Sequence, residues 1–184
     1  AAAAVYTTNL VKGAPLTVTK KHLENGIAQA VICNSGNANT CNANGIEIAE
    51  AMSDLTAKQL GIKAEDVIVA STGVIGQPLS IAPIADGLPQ LAAGLSVEGG
   101  KAAAEGIMTT DTVMKEVALE FQLDGKTCHI GGIAKGSGMI HPNMATMLVF
   151  ITTDAAITPE MLQCALQGDV PNTFNMTSVD GDTS

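Results

Sequence analysis

The stretch KGSGMIHPNMATMLVF runs from Lys135 to Phe150 and places small, flexible positions and a proline ahead of Thr146, which opens an apolar run. Gly136 and Gly138 permit backbone conformations closed to other residues, and Pro142 restricts His141. A backbone able to bend there can hold the Thr146 hydroxyl against the carbonyl that precedes it. Attack moves the acyl group from nitrogen to oxygen, and hydrolysis of that ester cuts the chain between Ala145 and Thr146. The cut leaves Thr146 with a free α-amine of reference pKa about 7.7–8.0, partly unprotonated near neutral pH. Such an amine can act as the hydroxyl's own general base. Ala145 is small enough to leave the scissile carbonyl accessible, and the β-methyl of Thr146 limits its χ1 choices. On the residues alone, an ordinary threonine at a strand start remains the simpler reading.

Other motifs carry less chemistry. GGIAKGSG puts its lysine before the second glycine of the GxxxxGK[ST] pattern, so it is not a phosphate-binding P-loop. NSGNANTCNANG (34–45) lacks the GxGxxG spacing, and a loop bonding its own backbone through Asn side chains is favoured over a ligand loop. His22, His129 and His141 are scattered, which argues against a metal site. His141 could assist a cut at Thr146, though a loop-packing role is preferred. Cys33, Cys41, Cys128 and Cys164 show no CxxC pairing and read as buried free thiols.

The elements that must position these groups alternate between strand and helix signals. IAQAVICNSG reads as a buried strand ending in a polar turn. NANGIEIAEAMSDLTAKQLG reads as a helix with Asn44 as N-cap, Glu47 three residues on, Ile48, Met52 and Leu55 on one face, and Gly61 at its end. DVIVASTG is a second short buried strand. The Ala- and Gly-rich region from Ser80 to Gly106 is expected to be helical in part, interrupted by Pro83 and Pro89. EVALEFQLDGKTCHIGG is a hairpin, with Val117, Leu119, Phe121 and Leu123 alternating against polar residues and Asp124-Gly125 at the turn. MLVFITTD, apolar on both faces, is expected at the centre of a covered sheet. A last helix starts at Thr158 and Pro159 and ends near Gly168. The fold class is α/β, layered sheets flanked by helices.

Composition bounds the function. The 184 residues fit one domain, and a net charge of −9 argues against nucleic acid or an anionic membrane as partner. No apolar stretch approaches a bilayer span, and AAAAVYTTNL lacks the flanks of a secretory signal. The missing initiator Met implies residues upstream. With 46% hydrophobic but 2% aromatic residues and 19 glycines, the core must be Ala, Val, Ile, Leu and Met at close packing distances.

Taken in order, NSGNANTCNANG (34–45), ASTGVIG (70–76), IMTTDT (107–112), KGSGMIHPNMATML (135–148), FITTDAAI (150–157) and VDGDTS (179–184) resemble the ornithine acetyltransferase (glutamate N-acetyltransferase) family of arginine biosynthesis. The resemblance covers essentially the whole chain. It implies a fold similar to, but distinct from, that of N-terminal-nucleophile hydrolases. It also implies self-cleavage at Ala145–Thr146, giving an α piece (1–145) and the start of a β piece (146–184) within one structural domain. Thr146 would take acetyl from N2-acetylornithine as an ester and pass it to glutamate, in ping-pong fashion. Thr72 and Gly73 match the family's oxyanion hole, where a hydroxyl and a backbone N–H suit a developing negative charge; a polar strand cap is the plainer reading of Thr72. Lys135 matches a substrate-binding lysine whose charge suits an α-carboxylate. TTD (109–111) supplies a further substrate contact, placed at Thr109 with Thr110 beside it, while Asp111 reads as a cap or turn residue. No cofactor is implied, although acetyl-CoA serves some members as donor. An α2β2 heterotetramer is implied, in the cytoplasm, or in the mitochondrial matrix for a fungal source.

The family continues for roughly as many residues again beyond Ser184, and that part supplies an acidic residue and further substrate contacts. Two other functions fit the same residues. A self-cleaving aminopeptidase or amidohydrolase would transfer the acyl group from Thr146 to water. An unprocessed, non-catalytic subunit would keep the Ala145–Thr146 bond intact.

Overall fold

The computed structural model describes residues 1–143 and 146–183. Ala145, half of the expected cleavage site, lies outside the described residues, as does Ser184. The order is α1 (Ala14–His22), β1 (Ala30–Asn37), α2 (Gly45–Leu60), β2 (Val67–Val74), α3 (Ala82–Ala93), α4 (Gly100–Gly106), β3 (Lys115–Leu123), β4 (Lys126–Lys135), β5 (Leu148–Thr153) and α5 (Pro159–Asp169). Among the described residues, no helix is long and apolar enough to cross a membrane.

Two sheets divide the strands. β1 and β2 pair in parallel, with α2 as the crossover that parallel strands require. Val18 of α1, Ile32 of β1, Ile48, Ala49 and Met52 of α2, Val67 and Val69 of β2 and Leu88 of α3 form one buried cluster. Small aliphatic side chains let these layers approach closely, as the near-absence of aromatics requires. The free edge of β2 is met by α1, whose length and helical character the sequence reading did not anticipate. Thr19 donates its hydroxyl to the Val69 carbonyl at 2.7 Å and accepts from the Val69 N–H at 3.0 Å, and His22 Nδ1 donates to the Val67 carbonyl at 2.8 Å. One helix face thus satisfies strand groups that would otherwise be buried without partners.

The second sheet has the order β3-β4-β5, antiparallel throughout. Asp124 at φ 49° and Gly125 at φ 73° make the hairpin turn left-handed at both central residues, matching the twist of the flanking strands. β5 is an edge strand and β4 the central one, which corrects the expected central position of MLVFITTD. Its run of apolar residues does not report burial here: Ile151 is 46% exposed, and Val117 and Leu119 on the same sheet are exposed too.

Three smaller expectations need correcting. Pro83 occupies the second position of α3, where no intrahelical N–H is needed, and Pro89 lies inside that helix without ending it. Asn44 precedes α2 but makes no side-chain cap bond, because its backbone (φ −106°, ψ 20°) is not the extended conformation that aims a capping oxygen at the first turn. Gly61 ends α2 in the left-handed conformation as expected, and the Thr158 hydroxyl caps α5 by accepting from the Met161 N–H at 3.3 Å.

Candidate functional site

The parallel register sets Ser35 beside Thr72 and Gly36 beside Gly73, so two polar turns leave the sheet at the same end. Gly73 adopts φ 131°, and a Cβ built on it would overlap the Gly36 carbonyl carbon and stand 2.6 Å from the Asn37 nitrogen. Only glycine fits this crossing of two backbones. The Asn-rich turn beside it is self-supporting. Asn34 donates to the Asn37 carbonyl at 2.9 Å, Asn39 donates to the Gly45 carbonyl at 2.9 Å, and Asn42 donates to Asn39 Oδ1 at 3.3 Å. Asn39 is fully buried. This agrees with the structural reading of NSGNANTCNANG.

Lys135 closes the site from the other sheet. It ends β4, is 3% exposed, and its ammonium donates to Thr72 Oγ1 at 3.2 Å; Thr72 is 5% exposed. Burial, with a smaller contribution from Lys115, depresses the Lys135 pKa from the usual lysine range, while Asp111 and Cys33 pull it upward. The Cys33 thiol is pushed up to about 12 by burial, against the pull of Lys135. Cys33 is therefore an inert thiol. The cysteines are all free, but Cys41 and Cys164 are exposed, which corrects the expectation that all four are buried.

The TTD turn braces the loop that follows Lys135. Asp111 accepts from the Gly136 N–H at 2.8 Å, from Lys115 Nζ at 2.6 Å and from the Thr109 N–H at 3.4 Å. Burial opposes its ionisation, yet the bonds from Lys115, Gly136 and Thr109 outweigh that and hold its carboxyl below the usual range. Asp111 is thus more than a local turn residue. Thr110 Oγ1 lies 2.8 Å from Ser137 Oγ. Thr109 is held through its backbone, with its side chain exposed beside this turn.

Thr146 lies at the same end of the β4–β5 pair, since Lys135 opposes Leu148 in the register. Its backbone is left-handed, at φ 57°, a costly conformation for a β-branched residue. Its hydroxyl is buried and lacks a hydrogen-bond partner among the described residues. Hydroxyls in that state are uncommon and call for an explanation. The loop from Gly136 onward is anchored by Ile140, 2% exposed, and by a carboxylate the sequence reading passed over. Asp180 accepts from the Met139 N–H at 2.7 Å and the Ile140 N–H at 3.1 Å. Its only sequence signal was its place in VDGD. His141 is exposed, which overturns its expected packing role. Among the described residues, no group of three or more His, Cys, Asp or Glu side chains is placed to hold a metal.

Comparison with known proteins fits this geometry. The ArgJ family matches the chain over residues 1–184. The chain belongs to the ArgJ family. An ArgJ relative from Symbiobacterium thermophilum, named arginine biosynthesis bifunctional protein, is 55% identical over all of the chain and 46% of its own length. The ArgJ of Thermosynechococcus vestitus is 51% identical, again over all of the chain and 44% of its own length. The chain thus spans about half the length of the curated relatives it matches. Among solved structures, the Bacillus halodurans ArgJ protein superposes with a TM-score of 0.72 at 46% identity, covering 78% of this chain and 76% of that one. Ornithine acetyltransferase from Mycobacterium tuberculosis, complexed with ornithine, gives a TM-score of 0.72 at 38% identity, covering 80% and 78%. The layered α/β arrangement described above is therefore that of ArgJ proteins.

Proposed function

We propose that the chain forms part of a self-cleaving acetyltransferase of arginine biosynthesis, moving acetyl from N2-acetylornithine to glutamate through an acetyl ester on Thr146. The observation that carries this reading is the Thr146 hydroxyl, buried, without a hydrogen-bond partner among the described residues, and on a left-handed β-branched residue at the same end of the β4–β5 pair as Lys135. Attack of Oγ on the preceding carbonyl would relieve that backbone strain and move the acyl group from nitrogen to oxygen. Water then hydrolyses the ester, releasing the 1–145 carboxylate and leaving Thr146 with a free α-amine and a free hydroxyl. The amine then accepts the hydroxyl proton as Oγ attacks the acetamide carbonyl. Thr72 Oγ–H and the Gly73 N–H donate to the oxyanion that forms. Collapse breaks the C–N bond, and the ammonium returns its proton to the departing ornithine nitrogen. The glutamate amine next attacks the ester, giving N-acetylglutamate and restoring the threonine hydroxyl.

Lys135, with Thr109 and Thr110 near it, would bind the amino-acid carboxylate. In this reading 1–145 is the α piece and 146–184 begins the β piece, and two copies of each assemble in the cytoplasm. No cofactor is needed, and acetyl-CoA is a candidate second donor. The ornithine held by the M. tuberculosis relative supports an ornithine-type substrate. The test is the intact mass of the full-length protein beside a Thr146→Ala variant, followed by incubation with N2-acetylornithine with and without glutamate. Two fragments, the second starting at Thr146, with glutamate-dependent transfer, are expected; release of acetate regardless of glutamate would sink the transferase reading. A single uncut but active wild-type species would remove Thr146 as an N-terminal nucleophile.

A further inference from the structure

We propose that Lys135 aims the Thr72 hydroxyl: by donating to Thr72 Oγ1 from a buried position, its ammonium leaves that hydroxyl's own proton to point at the acyl oxygen of the substrate. This rests on the acetyl-transfer reading above and assigns Lys135 a positioning role in addition to any contact with a carboxylate.

The argument is one of donor and acceptor accounting. A charged lysine offers three donors and no acceptor, whereas a threonine hydroxyl offers one donor and two acceptor sites. At 3.2 Å, with both residues nearly closed to solvent, the only bond available between them while Lys135 is charged runs from nitrogen to oxygen. The Thr72 proton is thereby excluded from the Lys135 direction. Its neighbour in the register, Ser35, spends its own proton on the Gly106 carbonyl at 2.7 Å and so is not a second donor to Thr72 Oγ1. Donation from the ammonium also polarises the Thr72 O–H and strengthens the bond that hydroxyl can give.

The pairing contains its own switch. A neutral Lys135 amine carries a lone pair and would take the Thr72 proton, reversing the bond and removing one oxyanion donor. The groups facing this amine are the Cys33 thiol from β1, the Asp111 carboxylate from the turn before β3, and the Lys115 ammonium from β3. Burial and Lys115 bring the reversal below the ordinary lysine range, and the Asp111 carboxylate resists it.

The experiment is a double-mutant cycle on acetyl transfer by the full-length protein, using Lys135→Met, Thr72→Ala and the pair, with kcat and KM measured from neutral pH to about 10. Each single change is expected to lower kcat by roughly 100-fold, the scale of losing one oxyanion donor. The pair should be little worse than Thr72→Ala alone. Lys135→Arg should retain more kcat than Lys135→Met and move the alkaline limb of the wild-type profile upward, because its charge persists. Thr72→Ser keeps the hydroxyl, controls for folding, and should keep the alkaline limb where it is in the wild type. Losses that multiply, or a Lys135→Met effect confined to KM, would overturn the inference and leave Lys135 as a carboxylate contact alone. Intact mass after incubation with N2-acetylornithine separates the two levels. With no acetyl group on Thr146, the transfer reading fails and takes this inference with it; with the acetyl group present and losses that multiply, only the aiming role fails.

Discussion

The Asp180 carboxylate holds the backbone of Met139 and Ile140 with two hydrogen bonds, at 2.7 and 3.1 Å, while the Val179 N–H donates to the Ile140 carbonyl at 2.9 Å. A segment after α5 is therefore strapped onto the loop that leads to Thr146. In the proposed cut protein this strap would join the two pieces across the break. Donation from the Met139 N–H, helped by Asp182 and Ile140 and only partly opposed by desolvation, keeps the Asp180 carboxyl below its usual range. Asp180→Asn removes the charge and one of two equivalent acceptors. It should slow self-cleavage of the full-length protein by about 10- to 100-fold, the cost of misplacing a reacting group by roughly an ångström. A time course of fragment appearance on a gel measures it, and unchanged kinetics would show that the strap does not position Thr146.

Glycine replacements should split by location. Gly73→Ala puts a methyl into the Gly36 backbone at a φ of 131°, so a cost of about 1–3 kcal/mol or more is expected, with loss of transfer activity. Gly87 lies within α3, and a Cβ there meets open space. Gly87→Ala should stabilise by about 0.5–1 kcal/mol through helix propensity and a less flexible unfolded chain. Thermal melts of the two variants should shift in opposite directions. A Gly73→Ala melt equal to wild type would contradict the crossing of the two turns.

These contrasts mark where the sequence was legible. The β3–β4 hairpin was readable because Asp124-Gly125 and strict alternation are both local signals, and α2 because its 3.6-residue periodicity is strong. α1 was missed since it is a short helix fixed by long-range bonds from Thr19 and His22 to β2. β5 was misplaced because an apolar run records which residues avoid water and not which strand neighbours them. At the site, the glycines and proline ahead of Thr146 pointed to its hydroxyl, but motif resemblance was needed to prefer that reading and to name Thr72, Gly73 and Lys135. The partners that hold them, Asp111 to Gly136 and Asp180 to Met139, span 25 and 41 residues. No local pattern encodes such pairs.

His129 supplies a surface test with a definite sign. Its Nδ1 lies 2.7 Å from Asp154 Oδ2, and its Nε2 lies 3.6 Å from Glu120. The bond to Asp154, with its charge and that of Glu120, raises the His129 pKa above the usual value. A raised folded-state pKa stabilises the protonated form, so this contribution is fully present below the ordinary histidine value of about 6.5 and fades as pH rises through the raised one. Melting temperature should therefore fall slightly across that window, and Asp154→Asn should flatten the fall. An identical slope in the variant would remove His129 as its source.

Asp111 predicts sensitivity at the acid end. Its carboxylate holds Lys115, Thr109 and the Gly136 N–H, the last at the root of the loop carrying Thr146. A depressed folded-state pKa means that this stabilisation is present above the ordinary Asp value of about 3.9 and is lost as pH falls through the lower, folded one. Asp111→Asn keeps the size but can accept at only one oxygen and cannot attract the Lys115 ammonium. It should lower the melting temperature at neutral pH and weaken its acid dependence. Because Asp111 also favours the charged form of Lys135, the same variant should shift the alkaline limb of acetyl transfer to lower pH. A variant that melts earlier yet keeps the wild-type alkaline limb would place Asp111 in the loop's framework and outside the electrostatics of the Lys135–Thr72 pair.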